Sequence, residues 1–490
     1  MFRIILTRPA SQSLKIVPTG LLYIASFIRS RETDIDIRIL DLRTEPRSDE
    51  RFAQELLSYK PGLVGISGMI FETPEVLQLA RSVKRILPAT RVILGGAMAT
   101  SDTVHLLDDN SVDFLCIGEG EETTLELAQA LRLDKEPDTV KGLVFKDDAR
   151  KCYTGQRLPS VDIDDIPFPA YDLINLTPYF DPRNIRRGAV YTRNTRMLPV
   201  FTSRGCPFQC TYCHNIHGKK IRLRKPEKVI EEIEWLMAQY GINELHICDD
   251  CFNLDIDRAK KICDMMLERN IKLLVCFVNG IRADCLDKEL ADKLKAIGTT
   301  QLCYGIESAV PRVLKTIKKS LDLESVRRAL RLSTERDILT VGLFMLGFPG
   351  ETEEEMRETI RFSLCEPMHL ITYSHVIPFP GTELYKSYRD AGGTLGEHYR
   401  DFTTDSGYTE INLSAVPLAK IKSMIRRAYA RFFLNPFRLW NIFRLTPDKI
   451  QFLTHAPIRF IVRVIPFPAR IARRLVDRFL YDRDATRSRH

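Results

Sequence analysis

The feature that most constrains this chain is a long alternation of two kinds of segment. Short apolar runs ending in glycine or a polar cluster are followed by amphipathic stretches at helical spacing. Parallel strands need long crossover connections, which helices usually supply, so such alternation dictates an α/β architecture on parallel sheets. Over residues 1–135 the strand candidates are RIILTRP, DIRILDL, LVGISGM, RVILGGAM and FLCIGEG, with GLLYIASFIRS and EVLQLARSVKRIL as helices between them. This pattern predicts a doubly wound, Rossmann-like sheet, which binds ligands at strand C-termini. A connector rich in Asp and Pro, with the short strand GLVFKDD, is expected over 136–197. Over 198–393 the strand candidates are PVFTSRG, ELHICDD, LLVCFVNG, TQLCYGIES, LTVGLFMLG and HLITYSHVI. They predict a partial or full (β/α) barrel. Residues 394–490 read as a helical, basic C-terminal region.

Composition narrows the setting. Hydrophobic residues make up 44% of the 490, ample for buried cores. Twelve cysteines could indicate a disulfide scaffold, but MFRIILTRPA has no apolar signal core, so a reducing, cytoplasmic location is expected. Metal ligands, reactive thiols or core packing are then the uses left for cysteine. No apolar run reaches the ~18 residues of a spanning helix.

The net charge of +8 is unevenly spread: Lys420 to His490 carries 17 Lys/Arg against four acidic residues. There RRAYARFFLNPFRLWNIFRL and APIRFIVRVIPFPARIARRLVDRFLYD mix apolar, aromatic and arginine residues at roughly helical spacing. Two readings fit: a helix packed on the barrel with solvated arginines, or a segment lying peripherally on anionic lipid. The tail has no recognition motif, so no nucleic acid partner is expected.

The chemistry concentrates after the first barrel strand. Cys206, Cys210 and Cys213 are spaced CxxxCxxC on a Gly/Pro-containing loop. Three thiolates so spaced can surround one [4Fe–4S] cube and leave its fourth iron open for a substrate. Three core cysteines, or a zinc site completed by His214 or His217, are the alternatives. Cys248 and Cys251 form a second CxxC, a candidate for another metal. Cys263, Cys276, Cys303 and Cys365 lie in apolar segments and are expected in the core. In the N-terminal block Gly65, Gly68, Gly95, Gly96, Gly118 and Gly120 fall at strand ends, as a ligand cradle or as tight turns.

The loop, with Tyr212 inside CxxxCx(aromatic)C, resembles that of the radical S-adenosylmethionine (SAM) superfamily, over about Leu198–Thr382. The resemblance implies SAM chelated at the open iron and cleaved reductively to a 5′-deoxyadenosyl radical. It also implies an external electron donor of flavodoxin or ferredoxin type. On this resemblance Tyr212 lies against adenine. Asp249 and Asp250, standing where a Gly-Gly-Glu motif is common, face the methionine ammonium. Glu307 and Ser308, in the GIES segment, contact the cosubstrate.

The preceding block is similar to the cobalamin-binding members of that superfamily, through Pro18–Tyr23, Ile66–Gly68, Gly95–Thr100, Gly118–Thr123 and Ile166–Asp172. That resemblance implies cobalamin held at Ser67, Gly68, Gly95, Gly96, Gly118, Glu119 and Gly120. The first histidine is His105, so there is no DxHxxG motif, and cobalt without a histidine ligand is expected. The implied activity is methyl transfer to an unactivated carbon of a large hydrophobic small molecule, a bacteriochlorophyll-type tetrapyrrole or an isoprenoid or polycyclic lipid. The rival is an oxidative cyclase or other C–C bond former without net methyl transfer, as in anaerobic magnesium-porphyrin cyclisation. A cofactor-based redox sensor is a third reading.

Overall fold

The computed structural model describes residues 1–453, except 12–15, 46, 102, 148–149, 159–160, 182–195, 215, 394–410, 447–448 and 450–451. Two sheets organise the described residues.

The first has seven strands: β1 (Phe2–Arg8), β2 (Ile35–Asp41), β3 (Leu63–Ser67), β4 (Arg91–Gly95), β5 (Phe114–Cys116), β6 (Leu143–Asp147) and β7 (Arg150–Tyr153), in the order β2-β1-β3-β4-β5-β6-β7. The first five strands are parallel. Strand order reverses at β1/β3, which opens a crevice at their C-terminal ends. Both faces are covered, because successive strand side chains point to opposite sides. Ile4 and Leu6 pack with Leu21, Leu22 and Ala25 of the helix Thr19–Arg29. Ile5 packs instead with Phe52 and Leu56 of Ser48–Tyr59 and Val76 of Thr73–Ile86.

Two strands fall within the connector expected over 136–197. β6 pairs antiparallel with β5, and β7 with β6, so residues 143–153 belong to the first sheet. Phe145 meets Phe114 edge-on at 6.2 Å, and this addition covers what would be an open strand edge.

The second sheet contains β8 (Met197–Val200), β11 (Glu244–Ile247), β12 (Leu274–Phe277), β13 (Thr299–Glu307), β14 (Leu339–Leu346) and β15 (Leu370–His375), parallel and in chain order. No described strand joins β8 to β15, so the barrel is partial. Helix starts are written in the sequence: Asp255, Asp287, Asp322 and Thr352 each accept a backbone N–H as N-cap.

The C-terminal region divides. The helix Leu418–Phe433 buries Ile421, Met424, Ile425, Ala428, Tyr429 and Phe432, and the Tyr429 hydroxyl accepts from the Tyr373 amide of β15 at 2.9 Å. That stretch is barrel packing. The helix Pro436–Leu445 is tied down by Arg438, which donates to the Leu364 carbonyl at 2.9 Å, yet it leaves Phe437 and Trp440 exposed. The arginine-rich stretch from Ala456 lies outside the described residues. No described helix is long and apolar enough to cross a membrane. Of the four cysteines expected in the core, Cys263, Cys276 and Cys303 are buried, whereas Cys365 is exposed at the last residue of its helix.

Candidate active site between the two sheets

Beyond β8 the chain forms a two-residue strand β9 (Ser203–Arg204) that pairs antiparallel with β10 (Arg222–Leu223), closing the cysteine loop at its base. Gly205 has φ +92°, and a Cβ there would lie 2.4 Å from the Lys220 carbonyl oxygen, so only glycine fits. The loop is anchored by backbone bonds from Thr211 N to Ile317 O (3.0 Å) and from Leu384 N to Thr211 O (2.8 Å). Cys206 and Cys210 are half-buried and Cys213 is exposed. Cys206 Sγ lies 3.6 Å from Cys251 Sγ, and this contact, ahead of every other influence, lowers the Cys206 thiol to about 6.

Each histidine of the zinc alternative is hydrogen-bonded through one ring nitrogen. His214 Nε2 bonds Ser101 Oγ at 2.5 Å, and His217 Nδ1 bonds Glu119 Oε1 at 2.8 Å. Among the described residues no three His, Cys, Asp or Glu side chains converge as on a single ion. The second CxxC does not converge either. Cys248 Sγ turns to the His246 carbonyl while Cys251 faces Cys206.

The two aspartates after β11 separate. Asp249 is buried, and its oxygens accept from Thr202 N (2.6 Å), Thr202 Oγ1 and Ser203 Oγ (2.6 Å). Burial raises its pKa against these bonds. Its carboxylate thus fixes the strand entering the cysteine loop. Asp250 is exposed, and its charge acts on Cys206 and Cys213.

Glu307 ends β13 with φ +67°, where the pairing with β14 shifts register. A non-glycine residue in that region is strained, and such strain gathers at functional sites. Its Oε1 accepts from Lys319 Nζ at 3.2 Å, and the same Nζ lies 3.5 Å from the Tyr212 hydroxyl. The Tyr212 ring packs 5.8 Å from Phe348 in the turn after β14. That turn is held by Glu351, which accepts from Gly347 N (2.7 Å) and Phe348 N (3.0 Å), and burial pushes its carboxyl up to about 7. Ser308 is buried; its Oγ accepts from Val310 N and pairs with Thr359 Oγ1, both at 3.2 Å.

On the N-terminal side a cavity of ≈230 Å³ opens at the ends of β1, β3, β4 and β5. Ser67, Gly95, Gly96, Gly118, Glu119 and Gly120 line it, and Phe201, Arg204, Ile216 and His217 of the barrel close it. Its glycines differ in use. A Cβ at Gly20 or Gly95 meets nothing within 4 Å, and one at Gly118 meets only the Ile216 carbonyl oxygen at 3.9 Å. These positions leave the surface at the strand ends bare. Gly68 and Gly120 instead admit Val76 and Ile24, whose methyls would lie 2.7 and 2.8 Å from an added Cβ. Gly68 does not line the cavity; its role is packing.

Glu119 serves the protein itself. It binds His217, Arg222 and, at 3.3 Å, Arg204, which also meets Glu121 at 2.8 Å. Burial works against the Glu119 charge, but His217 and the two arginines hold its carboxyl down at about 2. Arg204 and Arg222 escaped the sequence reading, signalled only by their position around the cysteine loop, and His217 and Cys251 entered it only as metal candidates.

Comparison with known proteins agrees with this layout. A family model described as the radical SAM superfamily matches residues 200–363, and one described as the B12 binding domain matches 10–128. An uncharacterized methyltransferase of Pyrococcus horikoshii is 29% identical, covering 86% of this chain and 88% of its own length. An anaerobic magnesium-protoporphyrin IX monomethyl ester cyclase of Cereibacter sphaeroides is 29% identical, covering 82% and 63%. The cobalamin-dependent SAM radical enzyme OxsB, solved with aqua-cobalamin and SAM, superposes with a TM-score of 0.69 at 16% identity, covering 99% of this chain and 75% of its own.

The fold and site define a radical SAM enzyme with an N-terminal B12-binding domain. The chain belongs to the cobalamin-binding radical SAM enzymes, whose cofactors are a [4Fe–4S] cluster, SAM and cobalamin.

Gly95→Leu tests the bare surface. Its side chain should fill the cavity without a clash, so the variant should keep the wild-type melting temperature and lose the protein-bound corrin absorbance after loading with cobalamin. Undiminished corrin retention would show that the cavity is not the cofactor seat.

Proposed function

We propose that this enzyme transfers a methyl group to an unactivated carbon of a large hydrophobic small molecule, with Cys206, Cys210 and Cys213 as the ligands of its cluster. The observation that carries this reading is one wall with two sides. The loop bearing the three cysteines continues into Ile216 and His217, which close the cavity above Ser67, Gly95 and Gly118. The donor set fits: three thiols on one loop leave an iron open, and the bare glycines suit a corrin face. When bound, the cluster with SAM supplies a hydrogen-abstracting radical, and cobalamin supplies a methyl carrier.

The chain's own groups then orient and enclose. Tyr212 and Phe348 offer an aromatic wall, Lys319 holds Glu307 beside it, and Asp250 remains for the ammonium of SAM. Ser67, Gly95, Gly96 and Gly118 form the cobalamin floor. Between the domains Ile70, Ile377, Phe379 and Ile411 gather into an apolar cluster, which suits a tetrapyrrole or polycyclic lipid. Exposed Lys219 and Lys220, on the cysteine loop, suit an acidic electron donor of flavodoxin or ferredoxin type.

Anaerobic turnover with reductant, SAM and cobalamin should give 5′-deoxyadenosine and a product heavier by one methylene unit per event. The Cereibacter relative motivates a second reading, oxidative cyclisation, in which 5′-deoxyadenosine forms and no methylene unit is gained. Replacing Cys206, Cys210 and Cys213 together with alanine should abolish the cluster absorbance, and full iron in that variant would overturn the ligand assignment.

Peripheral membrane contact is part of the proposal. Leu434, Phe437 and Trp440 are 69, 81 and 62% exposed, beside the basic tail. Phe437→Ser with Trp440→Ser should reduce co-sedimentation with anionic vesicles several-fold; unchanged partitioning would remove lipid as the partner of this patch.

A further inference from the structure

The loop leaving β11 holds one buried group without a task in the mechanism, the Cys251 thiol. It is 2% exposed and sits on a turn fixed by Asn253, itself fully buried. The Asn253 amide donates to the Arg282 and Cys285 carbonyls at 2.8 Å each, and its Oδ1 accepts from Arg282 N at 2.8 Å. The Arg282 guanidinium also stacks 3.9 Å over the Phe208 ring, next to Cys206 in the cysteine loop. Both loops are therefore anchored on one segment, through the Asn253 amide and the Arg282 guanidinium, and there Cys251 Sγ stands 3.6 Å from Cys206 Sγ.

We propose that Cys251 is a positioning residue of the cluster: its thiol donates an S–H···S hydrogen bond to the Cys206 thiolate and raises the potential at which the cluster accepts an electron. The inference rests on Cys206 being a ligand and is independent of the fate of the radical. Reduction places one more negative charge on the cube and its thiolates. A donor aimed at one thiolate therefore stabilises the reduced form more than the oxidised one. A fourth ligand would occupy a separate corner of the cube and close the iron that SAM requires. Cys251 instead stands beside a corner already taken.

The test uses full-length protein with a reconstituted cluster, as wild type, Cys251→Ala and Cys251→Val. Valine fills the site without a donor, guarding against a cavity effect. Iron content and the EPR signal of the reduced cluster are read first, then the midpoint by redox titration. Both variants should keep full iron. At a fixed potential their reduced-to-oxidised ratio should fall about tenfold, a downward shift of about 59 mV for one electron. An unchanged midpoint at full iron would overturn the proposal, and so would loss of iron from both variants, which would make Cys251 a ligand. Full iron in Cys206→Ala would instead sink the ligand assignment beneath it, and that variant is read before the titration.

Discussion

The two halves of the site depend on one carboxylate. Glu119, on the loop after β5, gathers Arg204 from β9, Arg222 from β10 and His217 between them. A buried arginine is tolerable only when paired and hydrogen-bonded, and Arg204 meets that need with Glu119 and Glu121 of the other domain. Tyr23 adds its ring 5.1 Å from the guanidinium. The strand pair that closes the cysteine loop is thereby fastened to the end of the first sheet. His214 with Ser101 makes a second fastening nearby. Because parallel strands deliver their loops at one end, joining the C-terminal ends of two such sheets places the cysteine loop and the cavity against a common wall.

What the sequence made legible follows from how local each signal is. The cysteine spacing and the strand–helix alternation are written in consecutive residues, and the alternation recurs in the fold. The partial closure of the barrel depends on whether β8 and β15 meet, and no local pattern encodes that. Asp249 and Asp250 look equivalent in sequence. They part only because Thr202 and Ser203, on the neighbouring strand, supply donors to one of them. Glu119 entered only as a cobalamin contact implied by the resemblance, because its side-chain partners lie about a hundred residues on. The basic tail misled in part because an amphipathic helix facing a barrel and one facing lipid share a periodicity.

The glycines show the same limit more finely. Gly68, Gly95, Gly118 and Gly120 have identical credentials as residues at strand ends. Added Cβ atoms divide them by what lies above, a neighbour's methyl at Gly68 and Gly120 and open space at Gly95. The first pair lets a helix approach the sheet, and the second keeps the sheet end bare. The distinction appears once Val76 and Ile24 are in place.

The segment after β11 carries this logic to single-residue resolution. Burial alternates through it, with Asp249 and Cys251 inward and Asp250 exposed. Each inward residue reaches a different part of the cysteine loop. Asp249 fixes the strand that enters it, and Cys251 meets the first cysteine. The outward one stays free for a charged ligand. An inserted or deleted residue here would exchange these roles, burying Asp250 against sulfur and exposing the carboxylate that secures Thr202. The spacing of Cys-Asp-Asp-Cys therefore matters through register, and its resemblance to a metal-binding CxxC is incidental to what its side chains do.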